Sequence, residues 1–159
     1  MGPRIVKAGF IMAYSKILVG YDCSQAATRA LSDAYELVDH GMAESVVILM
    51  VTDPERTGDP AFNAAARAAG VLLSTIGDEE EAIGNLKNSL GDQVSGHEDV
   101  TTLRVAFGKP QDAILSVAEK EGCGLIVMGS RGLGAVRAML GSVSTAVLRE
   151  SSIPVLVTK

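Results

Sequence analysis

Two glycine-bearing stretches in the last third of the chain have the residue types of an anion cradle. One is Gly129-Ser130-Arg131-Gly132-Leu133-Gly134; the other is Gly141-Ser142-Val143-Ser144. Glycine tolerates positive φ and lets backbone approach a bound group closely. A helix opening near Ser142 would turn free N–H groups and partial positive charge towards phosphate oxygens. Ser142 and Ser144 add hydroxyl donors, and Arg131 adds a cation. The spacing is neither that of the P-loop nor that of the dinucleotide fingerprint. Taken alone, the same residues also read as a loop with an ordinary N-cap at Ser142. Asp22 is a second candidate. A carboxylate just past an apolar strand accepts hydrogen bonds from a ribose, or caps the next helix beside Ser24.

The elements that must position these residues follow from hydropathy. Lys16–Tyr21 and Val46–Val51 are short apolar runs, as is Leu125–Met128. Runs of this kind read as buried strands. Thr101–Phe107 and Ile153–Val157 complete five strands. Ala26, Ala27, Ala30, Leu31, Ala34, Leu37 and Val38 recur at helical spacing behind a Ser24 N-cap, and Gly41 ends that helix. Pro110 suits a first helical turn. Ala113, Ile114, Val117 and Ala118 form its apolar face, and Gly122 ends it. A last helix spans Ser142 to Glu150. The stretch Ala61–Leu90 is helical in character but broken by Gly70, Gly77 and Gly84. It reads as a mobile first half and a firmer second half that starts at Asp78–Glu81. Acidic residues there suit a helix N-terminus. Strands that alternate with helices make a parallel sheet covered on both faces. Ligands bind such sheets beyond the strands' carboxyl ends. Asp22, Val51-Thr52-Asp53 and the segment from Gly129 all lie there.

Composition removes several alternatives. The chain has 159 residues, the size of one domain. Hydrophobic residues make up 47%, enough for a core, which at 4% aromatics must be aliphatic. The formal net charge of −5 argues against nucleic acid or an anionic membrane as partner. No stretch reaches the roughly 18 apolar residues of a membrane span. Cys23 and Cys123 lack metal or redox spacing and read as reduced thiols. His40 and His97 read as surface or helix-end residues. Residues 1–15 read as a flexible leader before a domain over residues 16–159.

The quoted segments KILVGYDCS, VVILMVTDP, FGKPQDAI and LIVMGSRGLGAVRAMLGSVSTAVLRESSIPVLVTK resemble the universal stress protein family, over nearly the whole chain from Lys16. The last segment resembles its ATP-binding branch. The resemblance implies a three-layer α/β sandwich of the adenine nucleotide alpha hydrolase-like type, with strand order 3-2-1-4-5. It also implies an ATP site. Asp22 would sit near the ribose and adenine, and the Val51 backbone at the adenine edge. Met128, Gly129, Arg131 and Gly132 would line the ribose and first phosphates. Gly141, Ser142, Val143 and Ser144 would hold the remaining phosphates, with Mg²⁺ or Mn²⁺ bound through phosphate oxygens. Three departures stand out. The spacer Leu133–Leu140 has eight residues, one fewer than usual in the family. Cys23 replaces a common glycine, and Gly124 stands where the fourth strand often starts with Asp.

The expected role is nucleotide-dependent regulation in the cytoplasm, not catalysis. A slow ATP hydrolase and an interaction module with an empty site are the alternatives. A homodimer through the final strand is also expected. Pro154 cannot donate to a ladder, which puts that strand at the sheet edge or starts it at the proline. An apolar edge invites a second copy.

Overall fold

The computed structural model describes residues 13–53, 60, 79–132 and 139–159, together with the backbone at 6–7 and 10–11. Val6–Lys7 (β1) and Phe10–Ile11 (β2) pair antiparallel. Tyr14–Gly20 (β3) then opens a five-stranded parallel sheet with Ala43–Thr52 (β4), Thr101–Phe107 (β5), Leu125–Gly129 (β6) and Val155–Thr158 (β7). The spatial order β5-β4-β3-β6-β7 is 3-2-1-4-5 when the sheet strands are counted along the chain. This is the expected architecture.

The uninterrupted apolar runs explain the layering. Alternate side chains of a strand leave opposite faces of the sheet, and here both faces are covered. On one face, Ile17, Val19, Val46, Ile48 and Val127 pack with residues of Gln25–Asp39 (α1) and Glu79–Leu90 (α2). On the other, Leu18, Val47, Leu49, Ile126 and Met128 meet Pro110–Lys120 (α3) and Ser142–Glu150 (α4). Ile17, Leu18 and Val19 are all fully buried. Burial of each such side chain contributes roughly 1.5–3 kcal/mol.

Helix ends follow their signals. The Ser24 Oγ accepts from the Ala27 N–H at 3.1 Å and caps α1. Gly41 and Gly122 take φ of +69° and +67° just past α1 and α3, where a β-carbon would be strained. Glu79, Glu80 and Glu81 fill the first turn of α2. The preceding part of the Ala-rich stretch, residues 61–78, lies outside the described residues.

Several boundaries move. β3 starts two residues before the expected Lys16 because the Tyr14 N–H donates to the Met42 carbonyl at 2.9 Å and Tyr14 pairs with Ala43. The segment expected as a leader thus holds a two-stranded ribbon and the first residues of β3; its residues 1–5, 8–9 and 12 lie outside the described ones. β7 starts at Val155, because Pro154 supplies only its carbonyl, to the Ile126 N–H at 3.0 Å. His97 is a helix-end residue, as expected: it precedes the short 3-10 helix Glu98–Val100 and is half-buried. Its ring stacks on Tyr35 with centroids 4.1 Å apart, and its Nε2 lies 2.9 Å from Asp39 Oδ1.

Glu121, past α3, ties two strands together. Arg104 Nε of β5 donates to it at 2.6 Å, and Lys16 Nζ of β3 lies 3.5 Å away. The Arg104 hydrogen bond, more than the charge of Lys16, holds the Glu121 carboxyl below its ordinary value of 4.5. A depressed folded pKa adds stability above the unfolded value and loses it as pH falls through the folded one. Glu121→Gln should therefore cost about 0.5–1 kcal/mol at pH 7, a surface ion-pair magnitude. The difference from wild type should narrow in urea denaturation series as pH falls below the ordinary carboxylate range. A gap independent of pH would refute the assignment.

Candidate functional site

The chain runs from β3 through α1 to β4 on one side, while β6 lies on the other side of β3. The carboxyl ends of β3 and β6 therefore flank the point where strand order reverses. In sheets of this architecture such a point is where helices diverge and leave the ligand crevice. Asp22, Gly129, Arg131 and Gly132 all follow these two strand ends.

Asp22 sits in a tight turn. Its Oδ1 accepts from the Ser24 N–H at 3.0 Å. Between them, Cys23 has φ +65°, a left-handed conformation that suits glycine and explains why glycine is common there in the resembling family. The thiol is half-buried, and burial pushes its pKa up, as burial does more strongly for Cys123, to about 11. Left-handed backbone costs a non-glycine residue roughly 1–2 kcal/mol. Replacement by glycine removes that cost but loses thiol packing and adds unfolded-state freedom. Cys23→Gly should therefore stay within about 1 kcal/mol of wild type, whereas β-branched Cys23→Val should lose about 2 kcal/mol. Equal thermal stability of the two variants would sink this account.

The loop after β6 folds against that turn. The Ser24 Oγ donates to the Arg131 carbonyl at 3.4 Å. A β-carbon on Gly132 would run into Asp22 Oδ2. Gly129 has a different reason to be glycine. A β-carbon there would lie 2.6 Å from Ala26 Cβ and 2.8 Å from the Ala26 carbonyl carbon. The first turn of α1 thus rests at backbone distance on the end of β6.

The second stretch closes the crevice. The Gly141 N–H donates to the Ser130 carbonyl at 2.7 Å, and the Ser130 N–H donates to the Thr158 carbonyl at 2.7 Å. Gly141 is the N-cap of α4, with no side-chain cap. The first intrahelical bond runs from the Thr145 N–H to the Gly141 carbonyl at 3.0 Å. The N–H groups of Ser142, Val143 and Ser144 therefore have no intrahelical acceptor. The Ser142 side chain is exposed. Ser144 is 3% exposed, and its Oγ donates to the Gly129 carbonyl at 2.8 Å. Its hydroxyl fastens α4 to β6, so its remaining donor is its backbone. Ser142 is the first helical residue, where the last helix was expected to begin, and Gly141 takes the N-cap position of the alternative reading.

The other candidates lie around this centre. Met128 is 5% exposed and packs below the crevice among α3 and α4. Val51 is on β4, one strand from β3, with its side chain against the same cluster. The side chain is half-buried there, and the main chain stands near the carboxyl end of β4. Residues 133–138, most of the shortened spacer, lie outside the described residues. Ser130 was not singled out from sequence, although both its backbone groups organise the site; a serine between Gly129 and Arg131 carries no signal of that.

The arrangement brings together an uncapped helix N-terminus, two glycines that let the loop close on Asp22 and on the Ser130 carbonyl, and a carboxylate held by backbone. These parts fit a polyphosphate and a hydroxylated sugar. Among the described residues, no three His, Cys, Asp or Glu side chains are grouped to hold a metal.

The chain matches the sequence model described as the universal stress protein family over residues 13–159. A universal stress protein of Thermus aquaticus is 34% identical over 148 residues, covering 92% of this chain and 99% of the relative. Universal stress protein MJ0577 of Methanocaldococcus jannaschii is 33% identical, covering 92% of this chain and 95% of its own. A solved structure of MJ0577 superposes with a TM-score of 0.69 at 29% identity, over 94% of this chain and 97% of that one. A universal stress protein solved in complex with cAMP shares the fold, with a TM-score of 0.64 at 23% identity over 92% and 98% of the two chains.

Proposed function

The chain belongs to the universal stress protein family, and from that premise we propose that it binds an adenine nucleotide, with ATP as ligand, and acts by regulation. The observation that carries this reading is the uncapped N-terminus of α4 directly behind Gly141, facing a loop whose Gly132 lies against Asp22. Phosphate oxygens take the free N–H groups of Ser142, Val143 and Ser144, with the exposed Ser142 hydroxyl and the Arg131 side chain beside them. The ribose hydroxyls donate to Asp22, and the Val51 main chain meets the adenine edge. Mg²⁺ or Mn²⁺ rides on the phosphate oxygens, since the described side chains offer no cluster to hold it. A relative of the same fold solved with cAMP supports an adenine nucleotide as the ligand class.

The site is built for holding. A hydrolase needs a group that orients water and a cation on the transferring phosphate. The Asp22 carboxylate is tied to the Ser24 N–H, and Asp53 is only 9% exposed. Turnover is therefore proposed to be slow or absent, the protein to work in the cytoplasm, and β7 to pair with a second copy. No helix among the described residues is long and apolar enough to cross a membrane.

Calorimetric titration of the purified protein with ATP and Mg²⁺ tests the reading, alongside chromatography of nucleotide released by denaturing protein purified without added ligand. Saturable binding of ATP is the expected result. No heat, no released nucleotide and no displacement by ATP would overturn it in favour of an interaction module.

A further inference from the structure

Among the described side chains, the aromatic rings are buried or half-buried with one exception. Tyr21 and Tyr35 are 4% and 5% exposed, and Tyr14 packs against the core, but Phe107 is 42% exposed. A phenyl ring with that much surface in water leaves part of its burial stabilisation unrealised. Its position gives the exposure a reason. Phe107 is the last residue of β5, at the carboxyl edge of the sheet, where ligands of this architecture bind. It pairs in register with Thr52, next to Val51. Leu103 and Val105 leave β5 on the same side and pack into the core below α1 and α2. Phe107 is the next residue in that row and extends past the packed region.

The backbone around it is fixed. The Gly108 N–H donates to the Thr52 carbonyl at 2.9 Å, and Gly108 has φ +125°, a conformation that turns the chain sharply and that L side chains rarely adopt. Pro110 then starts α3. The ring is thus carried on a rigid strand end. It lies two inter-strand spacings from β3, about 10 Å. Phosphates at α4 lie on the opposite side of β3, towards β6. A nucleotide laid along the carboxyl edge from α4 across β3 and β4 carries its base towards β5.

We propose that Phe107 is the base platform of this site and that its ring stacks on the adenine. The proposal rests on the nucleotide-binding reading above and adds to it the residue that selects a planar base. Stacking on an aromatic ring distinguishes a nucleotide from a bare polyphosphate and tolerates different bases.

The chain contains no tryptophan, so Phe107→Trp introduces a single indole reporter at the proposed contact. ATP should quench and shift its emission saturably, and inorganic tripolyphosphate should not. In calorimetry, Phe107→Ala should weaken ATP about tenfold or more, the size of one base–aromatic stack. Its affinity for tripolyphosphate should stay at the wild-type value, and Phe107→Tyr should retain ATP binding. Thermal denaturation of each variant checks the fold. Wild-type protein that binds ATP while Phe107→Ala binds it within twofold overturns the platform and leaves the functional reading intact, as does emission unchanged by ATP. Wild-type protein that does not bind ATP at all overturns both.

Discussion

Gly132→Val should lower ATP affinity at least tenfold, about 1.4 kcal/mol, with little loss of fold stability. The backbone at Gly132 has no positive φ that would itself require glycine, and the residue is exposed. What the substitution meets is the Asp22 carboxylate, because any β-carbon at 132 runs into Oδ2. Asp22 cannot yield freely, since its Oδ1 accepts from the Ser24 N–H in the turn that starts α1. Rotation of the carboxylate gives up that bond and turns away the acceptor proposed for the ribose. One substitution therefore disturbs both the loop's approach and the sugar contact. Gly141→Val should also weaken binding, through a smaller strain: a β-carbon there lies 3.3 Å from the Ser130 carbonyl oxygen, tight but short of collision. A double-mutant cycle separates the causes. Asp22→Ala removes the obstacle, so Gly132→Val should cost distinctly less in that background. Unchanged ATP affinity in Gly132→Val, measured by calorimetry, would defeat the assignment of this crevice to nucleotide.

The sheet was legible because its strands are uniform apolar runs. A strand buried on both faces needs no alternation, and VVILMV and LIVM cannot be exposed on either side. The ends were less legible. β4 starts at Ala43 and includes Glu44 and Ser45, polar residues whose strand conformation comes from pairing with β3 and not from their own preference. The two-residue strands β1 and β2 are too short for any period to register. The stack of His97 on Tyr35 joins residues that sequence order keeps far apart, and nothing local to either announces it.

The glycine-rich segment shows a subtler limit. Read as sequence, its glycines all point to a phosphate. The structure divides them by cause. Gly129 is required by the backbone-to-backbone approach of α1, whatever binds nearby. The buried Ser144 hydroxyl likewise secures α4 to the Gly129 carbonyl. Gly132 and Gly141 also meet the protein's own atoms, Asp22 and the Ser130 carbonyl, and the free N–H groups that follow Gly141 are what remains for a ligand. Composition cannot separate a glycine needed for helix packing from one needed for a ligand, because both ask only for a missing side chain.

Leu156→Asp should dissociate the proposed homodimer, with the association weakened on the order of a hundredfold, about 2.7 kcal/mol. Among the described residues β7 is the sheet's edge strand, paired with β6 alone, and its outer N–H and C=O groups offer a template for a second copy. The end of the strand is held firmly. The Thr158 Oγ1 donates to Asp33 Oδ2 at 2.6 Å, and Arg29 Nη1 donates to the Lys159 carbonyl at 3.0 Å. Both contacts pin its end to α1. Leu156, on the face of β7 away from α4, is 41% exposed, apolar surface that a two-fold related copy would cover. The structure also selects the substitution. Val155 and Val157 pack against the α3–α4 cluster, so a charge at either would test folding as much as assembly. Leu156 leaves the other side of the strand, and a carboxylate there is solvated in the monomer but buried beside its symmetry mate in the dimer. Sedimentation equilibrium at micromolar concentration, with thermal denaturation to confirm that the variant monomer is folded, reads the effect. A wild-type chain that sediments as a monomer with and without ATP rules the dimer out.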